Sequence, residues 1–165
     1  MGTKTIIDNL VTDRTQADVE RVKALAAKGF AAMTADEQAE WLAGMKGAYN
    51  AADLNRVGTA LNYLAARLSS ICGKSIAWTA KTDWAVTDII TASQAAEYRR
   101  QVQSIRDALA YPEGTPDAPQ LGRLTYTDAN NIERILKLCE DLIVNVAKSF
   151  RHTGAAECAA GGLLT

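Results

Sequence analysis

The clearest pattern of apolar and polar positions in this 165-residue chain lies between Asn50 and Gly73. Apolar residues recur there at alternating steps of three and four, which places their side chains on one face of a helix. Asn50 is a favourable N-cap, Asp53 suits the positive end of the helix dipole, and Gly73 suits a helix C-terminus. The stretch predicts an amphipathic helix whose apolar seam consists of Leu54, Val57, Leu61, Leu64, Leu68 and Ile71.

Capping signals predict further helices on both sides of this segment. The capping box places a threonine three residues before Glu, Gln or, in a weaker form, Asp. It begins at Thr15, Thr34 and Thr91, and the last helix begins at Thr125 or Thr127. The predicted helices cover residues 15–32, 34–47, 91–112 and 125–154, with ends set in the last three by Gly47, Pro112 and Gly154.

Residues 74–91 interrupt the helical periodicity. This segment is rich in Thr and β-branched residues and contains Trp78 and Trp84. Because it is longer than the usual connection between helices, we expect an ordered crossover that its tryptophans hold in place. A second, stiffened loop contains all three prolines of the chain, at Pro112, Pro116 and Pro119.

Together these elements predict an all-α fold, a helical bundle of four to five helices with one long ordered crossover loop. A chain of this length is large enough to bury a core as one domain. We expect residues 1–14 to form an N-terminal lead segment, residues 15–154 a single helical-bundle domain, and residues 155–165 a flexible small-residue tail.

Charge and composition narrow the classes of partner. The net charge is −1, and Lys and Arg are interspersed with Asp and Glu, so we expect no nucleic-acid partner. No apolar run approaches the roughly 18–20 residues that span a bilayer, so we expect no membrane partner. Asp8 and Asp13 interrupt the short apolar stretch at the N-terminus, which does not match a signal peptide and predicts synthesis in a cytoplasm.

Residues with catalytic or metal-binding chemistry are few and scattered. The single histidine, His152, lies near the end of the last predicted helix, where it favours the helix dipole. Cys72, Cys139 and Cys158 are too far apart for a zinc site, and the first two fall in apolar helical patterns typical of core positions. The chain has no Gly-rich phosphate loop. We predict that it is not an enzyme and that it binds no cofactor and no metal.

A run of aromatic residues and glycines before the amphipathic helix indicates a joint between two helices. Glycines allow two backbones to approach closely, and Trp41 can pack against Tyr49 across the turn. Asn55 and Arg56, in the first turns of the following helix, can hydrogen-bond to the preceding loop. The predicted structural joint consists of Trp41, Gly47, Tyr49, Asn50, Asn55 and Arg56.

Three aromatic residues in or beside loops form a second candidate site. Exposed aromatic side chains can stack on sugar rings or contact a partner protein. They can equally pack against the core and hold the loops in place, and the sequence leaves both alternatives open. The candidates are Trp78, Trp84 and Tyr111.

Two segments of the chain are similar to each other. "AYNAADLNRV" and "TYTDANNIERI" each contain a Tyr close to a polar cap, followed by Asn, Arg and a β-branched apolar residue. A duplicated helical hairpin is one interpretation. The alignment needs a one-residue shift, so chance similarity is the other.

Four segments form a pattern that is specific enough to indicate a family. They are "DRTQADVERV", "MTADEQAEWLAGMKGAYNAADLNRVGTALNYLAARL", "TDWAVTDIITASQAAEYRRQVQSIRDAL" and, after the proline-rich loop, "LTYTDANNIERILKLCEDLI". Residues 10–155 resemble a helical module of phage and prophage structural proteins from Gram-positive bacteria. The chain departs from that pattern at Ile90, where family members often have a proline, and we expect the change to reduce local stiffness without altering the fold.

The resemblance implies a function in assembly and no active site. It implies a structural component of the virion, in the tail, baseplate or fibre region, that contacts other phage structural proteins. We also expect the chain to form a homo-oligomer. The alternative is a binding module for cell-wall glycan or a host-surface protein. That module would use Trp78, Trp84 and the proline-rich loop.

Overall fold

The computed structural model describes the backbone of residues 3–161 and the side chains of residues 6–150. Helices account for the regular structure of this range, which contains no β-strand. The predicted all-α helical bundle is confirmed, and a short N-terminal helix that we did not predict is added to it. The helices are α1 (Thr3–Asp8), α2 (Gln16–Lys28), α3 (Ala35–Ala43), α4 (Ala51–Cys72), α5 (Ala92–Asp107) and α6 (Tyr126–Gly161), with single 3₁₀ turns at Phe30–Ala32 and Leu121–Arg123.

Local capping fixes where the helices begin. α2, α3, α4 and α5 each start with a complete capping box, in which the cap side chain and the third helical residue satisfy each other's backbone N–H groups. Thr125 and Asp128 make the same two bonds at the start of α6. These side chains replace the hydrogen bonds that a helix N-terminus lacks. The predicted helix starts are therefore confirmed, with Thr125 as the cap of α6.

Helix ends differ from the prediction in four places. α2 ends at Lys28, before Gly29 with its φ of 77°, rather than at Ala32. α3 ends at Ala43 with Gly44 as its C-cap, whose φ of 85° suits a glycine, rather than at Gly47. α5 ends at Asp107, before Pro112. α6 continues past Gly154 to Gly161, because the alanines around Gly154 favour helix strongly enough to accommodate one glycine.

The main core lies between α4, α5 and α6, with α1 packed beside α4 and α6. α4 and α6 run in the same direction, because Arg56 pairs with Glu133 near the two starts and Arg67 pairs with Glu140 further along both helices. The predicted seam of α4 faces this core, with its end members partly buried. The largest fully buried side chains include Val57, Leu61, Leu64, Leu68, Val102, Ile105, Ile132, Ile135, Leu136 and Ile143.

A second, smaller core lies between α2 and α3. Leu25, Met33 and Met45 are buried there, and Val22 and Trp41 pack against them. The small size of this core makes the α2–α3 pair depend on its contacts with the rest of the chain.

The N-terminal segment is part of the bundle rather than a lead outside it. Leu10 is buried in the main core, and Arg14 is almost fully buried. The side-chain amide of Asn130 on α6 accepts a hydrogen bond from the Arg14 backbone N–H and donates one to its carbonyl, at 3.0 and 2.9 Å. Residues 155–161 of the predicted tail belong to α6, and the rest of that tail lies outside the described residues.

Two asparagines of α4 hold the crossover of residues 74–91, which is ordered as predicted. The Asn55 amide donates to the Trp84 carbonyl and accepts from the Trp84 N–H, at 2.9 and 2.7 Å. Asn62 makes the same pair of bonds with Ala80, at 3.0 and 2.7 Å. Gly58 lies between them and allows the Lys81 carbonyl to touch the helix backbone. The crossover therefore follows one polar stripe of α4.

α4 and α6 repeat each other's pattern at an interval of 75 residues. The interval relates their N-caps, Asn50 and Thr125, and relates Asn55 to Asn130, each of which pairs with the backbone of a crossing segment. The same interval relates buried positions, so both helices present the same pattern of steps of three and four to the core. The buried pairs are Val57 with Ile132, Leu61 with Leu136, Leu64 with Cys139, and Leu68 with Ile143.

Because the crossover approaches α4 closely at Gly58, adding one methyl group at this position should lower the stability of the fold. In Gly58→Ala, the new Cβ would overlap the Lys81 carbonyl oxygen, so the crossover must move. We expect a loss of about 1–3 kcal/mol in the free energy of unfolding, measured by urea denaturation, despite the better helix propensity of alanine. Gly122→Ala is the control, because a Cβ there meets nothing within 4 Å. Equal stability of both variants would contradict the contact.

Burial also predicts how the cysteines react. Cys139 is buried in the core, and burial raises the pKa of its thiol to about 11. At pH 8 only about one Cys139 thiol in a thousand is the reactive thiolate. We expect iodoacetamide to modify Cys139 only when urea unfolds the chain, as followed by peptide mass spectrometry. Modification of Cys139 in the native protein at the rate of a free thiol would contradict its place in the core.

Candidate functional site

Four charged side chains meet where the N-terminal segment crosses the starts of α4 and α6. Arg14 Nη2 lies 2.8 Å from Asp53 Oδ1 and 2.6 Å from Glu133 Oε1. Arg56 Nη2 lies 2.8 Å from the same Glu133 oxygen and also pairs with Asp53. Two positive and two negative charges thus balance in one place. Arg14, Asp53, Arg56 and Glu133 are termed the charge cluster below.

Further hydrogen bonds occupy the remaining carboxylate oxygens of the charge cluster. Glu133 Oε2 accepts from the Val11 backbone N–H at 2.6 Å and from Arg56 Nε at 3.0 Å. Asp53 Oδ2 accepts from the Asn50 backbone N–H at 2.9 Å as part of the α4 capping box. Every oxygen of the two carboxylates therefore has a donor within the chain, which a buried carboxylate needs in order to stay charged.

The tyrosines beside the charge cluster extend it to α5. The guanidinium of Arg14 lies over the ring of Tyr49, 5.6 Å from its centroid. The hydroxyls of Tyr49 and Tyr98 are 2.5 Å apart. Burial raises the pKa of both hydroxyls well above the ordinary value for tyrosine. Both tyrosines are therefore neutral at physiological pH and act as hydrogen-bonding core residues.

The charge cluster is suited to joining segments of the chain rather than to catalysis. A catalytic acid or base must reach a substrate, whereas Glu133 has no exposed surface and Arg14 is only 4% exposed. The positive and negative charges are already paired, so no charge is left to bind an ion. The cluster instead joins the N-terminal segment to α4 and α6.

An apolar groove lies on the surface next to the charge cluster. Its walls are α3 and the second half of the crossover, its floor is the start of α4, and its volume is 520 Å³. Asp88 is the one charged residue among those that line it. Leu42 on one wall and Val86 on the other are 74% and 96% exposed. The apolar groove is defined by Trp41, Leu42, Met45, Leu54, Trp84 and Val86.

Half of the residues of the predicted structural joint line the apolar groove, and the other half make different contacts. Trp41, Tyr49 and Asn50 line the apolar groove. Gly47 lies against the α2 backbone, where a Cβ would overlap the Asp18 carbonyl oxygen. Close approach, rather than the end of α3, is therefore the reason for a glycine at position 47.

The sequence predicts that Asn55 and Arg56 bond to the loop before α4. In the structure both residues have other partners. Asn55 turns to the backbone of Trp84, which follows α4 in the chain, and Arg56 turns to Asp53 and Glu133. The prediction was wrong because it considered only partners that are close in sequence. Arg56 pairs across 77 residues.

The three aromatic candidates hold their loops against the bundle. The indole N–H of Trp78 donates to Ser104 Oγ at 3.2 Å, and the Tyr111 hydroxyl donates to the Ile105 carbonyl at 3.2 Å. Trp84 is 8% exposed, and the Lys81 ammonium lies 4.7 Å from the centre of its ring. Their contact with a glycan or partner stays a prediction.

Sequence reasoning missed two members of the charge cluster. Arg14 stood in the presumed lead segment, and its partners are 39 and 119 residues away. Glu133 carried a usable signal, because it lies on the apolar face of α6 beside Ile132 and Leu136. A charged residue at such a position is buried only when it is paired.

Known proteins and common site types offer no further assignment. Within residues 3–161, no helix is long and apolar enough to cross a membrane. Among residues 6–150, whose side chains the structure describes, no group of three His, Cys, Asp or Glu residues is placed to hold a metal ion. Comparisons with protein family models, curated proteins and solved structures return no match to the chain.

The charge cluster predicts a large difference between two Glu→Gln substitutions. Glu133→Gln removes a buried charge and leaves Arg14 and Arg56 with one carboxylate. We expect the free energy of unfolding to fall by about 3–5 kcal/mol in urea denaturation, as for other broken buried ion pairs.

Glu40→Gln is the matched control for this substitution. Glu40 pairs with Arg21 at 2.8 Å, but both side chains are exposed, so the pair contributes far less to stability. A similar small loss in both variants would show that the charge cluster does not hold the bundle together.

Proposed function

We propose that the chain is a structural or assembly protein of a phage or prophage particle that acts through protein–protein contacts. Its place is the tail, baseplate or fibre region of the virion, next to other phage structural proteins. The observation that supports this proposal best is the apolar groove between α3 and the crossover. The resemblance of residues 10–155 to a helical module of phage structural proteins supplies the particle context.

The groove has the features of a protein-binding surface. Leu42, Val86 and Ile89 are exposed on or beside it by 74%, 96% and 89%. Exposed apolar side chains grouped around a groove are a feature of protein–protein contact sites. A partner that covers these side chains removes apolar area from water, which favours association.

The charge cluster also supports a structural function. Its carboxylates are saturated by donors within the chain, so it stabilises the surface without offering reactive groups. A rigid scaffold with an apolar contact surface suits a protein that assembles with others. We therefore propose no enzymatic activity.

The cell-wall glycan module is the weaker alternative. Sugar stacking needs an open aromatic face, whereas Lys81 lies over the ring of Trp84. Trp78 uses its indole N–H to bond Ser104. These contacts favour a role of both tryptophans in holding the crossover in place.

Mass spectrometry of gradient-purified particles tests the proposed function. Particles are induced from a lysogen that carries the gene, and peptides of this chain are quantified beside those of a known tail protein. We expect co-purification at a fixed ratio to the tail protein, because a structural component has a defined copy number. Peptides found only in the soluble lysate would contradict the virion role. A binding assay on purified host cell walls with Trp84→Ala would then test the alternative.

A further inference from the structure

The α3 wall of the apolar groove carries the negative end of a helix. Leu42, Ala43 and the C-cap Gly44 all line the groove. The carbonyl groups in the last turn of a helix lack partners within that helix and carry a partial negative charge. The last turn of α3 contains no basic residue that would balance this charge. Lys46, two residues after the cap, is already paired with Asp13 at 2.8 Å.

The floor of the groove is a helix end whose charge is compensated. Asn50, Ala51 and Ala52 at the start of α4 line the groove. The side chain of Asn50 accepts a hydrogen bond from the Ala52 N–H at 2.8 Å. Asp53 places a carboxylate in the first turn and accepts from the Asn50 N–H at 2.9 Å. The positive end of the α4 dipole is therefore balanced within the chain, whereas the negative end of α3 is not.

The crossover wall of the groove is also negative. Asp88 is the one charged residue among those that line the groove, and its carboxylate accepts from the Ala85 N–H at 3.0 Å. The Lys81 ammonium lies 3.6 Å from Asp88 and 3.3 Å from Asp83, so one positive charge is shared by two carboxylates. One negative charge remains on this wall. The two walls therefore have the same sign.

The sign of this charge narrows the class of partner. Two copies of the chain placed groove to groove would bring like charges together, which opposes association. A membrane surface with anionic lipids would be repelled for the same reason. A partner with positive charge beside an apolar surface complements the groove.

The groove is better suited to a helix than to an extended segment. Leu42 and Val86 are exposed on opposite walls, and Leu54 lines the floor between them. An extended segment packed against these side chains would bury unpaired N–H and C=O groups, at a cost in free energy. The Ala52 N–H in the floor already has an acceptor. A helix satisfies its own backbone and presents an apolar stripe, as in other helix-in-groove complexes.

We propose that the apolar groove binds an amphipathic helix of a partner protein, with Lys or Arg residues on both sides of the apolar stripe of that helix. The inference rests on the proposed function as an assembly protein and names the chemistry of the partner. The apolar stripe packs between Leu42 and Val86. The flanking cations face the carbonyl end of α3 on one side and Asp88 on the other. Burial of apolar area favours association, and charge selects the partner.

Three synthetic peptides of about 18 residues test the sign of the charge and the conformation of the partner with the full chain. All three carry leucines at helical spacing. The flanking positions are lysine in the Lys peptide and glutamate in the Glu peptide, and the third is the Lys peptide with a central proline, which breaks a helix. By fluorescence anisotropy at low salt, we expect the Lys peptide to bind about tenfold more tightly than either of the others. Its advantage over the Glu peptide should shrink as salt is added.

A neutral variant of the groove tests the source of this preference. Asp88→Asn removes the charge but keeps an oxygen that can accept from the Ala85 N–H. We expect the preference for the Lys peptide over the Glu peptide to fall about threefold. Asp141→Asn is the control, because it removes the same charge from an exposed residue of α6 that does not line the groove. It should leave the preference unchanged.

An apolar-to-polar variant tests the place of binding. Val86 is 96% exposed on the crossover wall, so we expect Val86→Gln to fold as the wild type does, as checked by circular dichroism. It should weaken binding of the Lys peptide about tenfold, because the apolar contact is lost. Phe30→Gln is the control, because Phe30 is exposed but does not line the groove, and it should bind as the wild type does.

Equal binding of the Lys and Glu peptides would overturn the proposal, and so would equal binding of the Lys peptide and its proline variant. Binding that Val86→Gln leaves unchanged would contradict the groove as the site. Self-association of the chain in ultracentrifugation, abolished by Val86→Gln, would assign the groove to a second copy instead. The virion test is independent of these results. A chain that is present in particles but shows no preference for the Lys peptide would contradict this inference alone, and one that shows the preference but is absent from particles would contradict the virion role alone.

Discussion

The buried charge of Glu133 is the constraint on which most of the structure depends. A carboxylate without solvent contact is strongly unfavourable unless donors surround it. Glu133 has three, namely Arg14, Arg56 and the backbone N–H of Val11, and they come from the N-terminal segment and from α4. These parts of the chain must therefore meet at the start of α6 for the fold to form. Replacing one partner would leave the others as unpaired charges, which ties the three segments into one cooperative unit.

The charge cluster also positions the apolar groove, which is the surface that we propose for protein–protein contacts. Asp53 belongs to the charge cluster and also accepts the Asn50 N–H that begins α4, and Asn50 lines the apolar groove. Asn55, one turn later, fixes the backbone of Trp84 in the opposite wall. The groove is thus built on hydrogen bonds that depend on buried polar groups. A groove fixed in this way loses little conformational entropy when a partner docks in it, which favours affinity.

Features set by neighbouring residues could be predicted from the sequence, and features set by distant residues could not. Threonine and asparagine caps act within one turn, so the starts of α2 to α5 follow from the sequence alone, and the start of α6 follows to within two residues. The seam of α4 follows from its periodicity. The place of Glu133 on the apolar face of α6 indicates that it needs a partner, but nothing in the local sequence identifies that partner as Arg14, which is 119 residues away. For the candidate site, Trp41, Tyr49 and Asn50 were identified, but the groove became visible only when the crossover was placed opposite them.

Native-state hydrogen exchange at two backbone amides tests the central role of the charge cluster most directly. The Val11 N–H donates to Glu133, and the Arg14 N–H donates to Asn130, although both lie in a segment without regular secondary structure. If the cluster makes this segment part of the cooperative core, both amides exchange only through global unfolding, with the same free energy as amides in the middle of α4. If they exchange as fast as amides of an exposed loop, the N-terminal segment opens by itself and the charge cluster does not hold the bundle together.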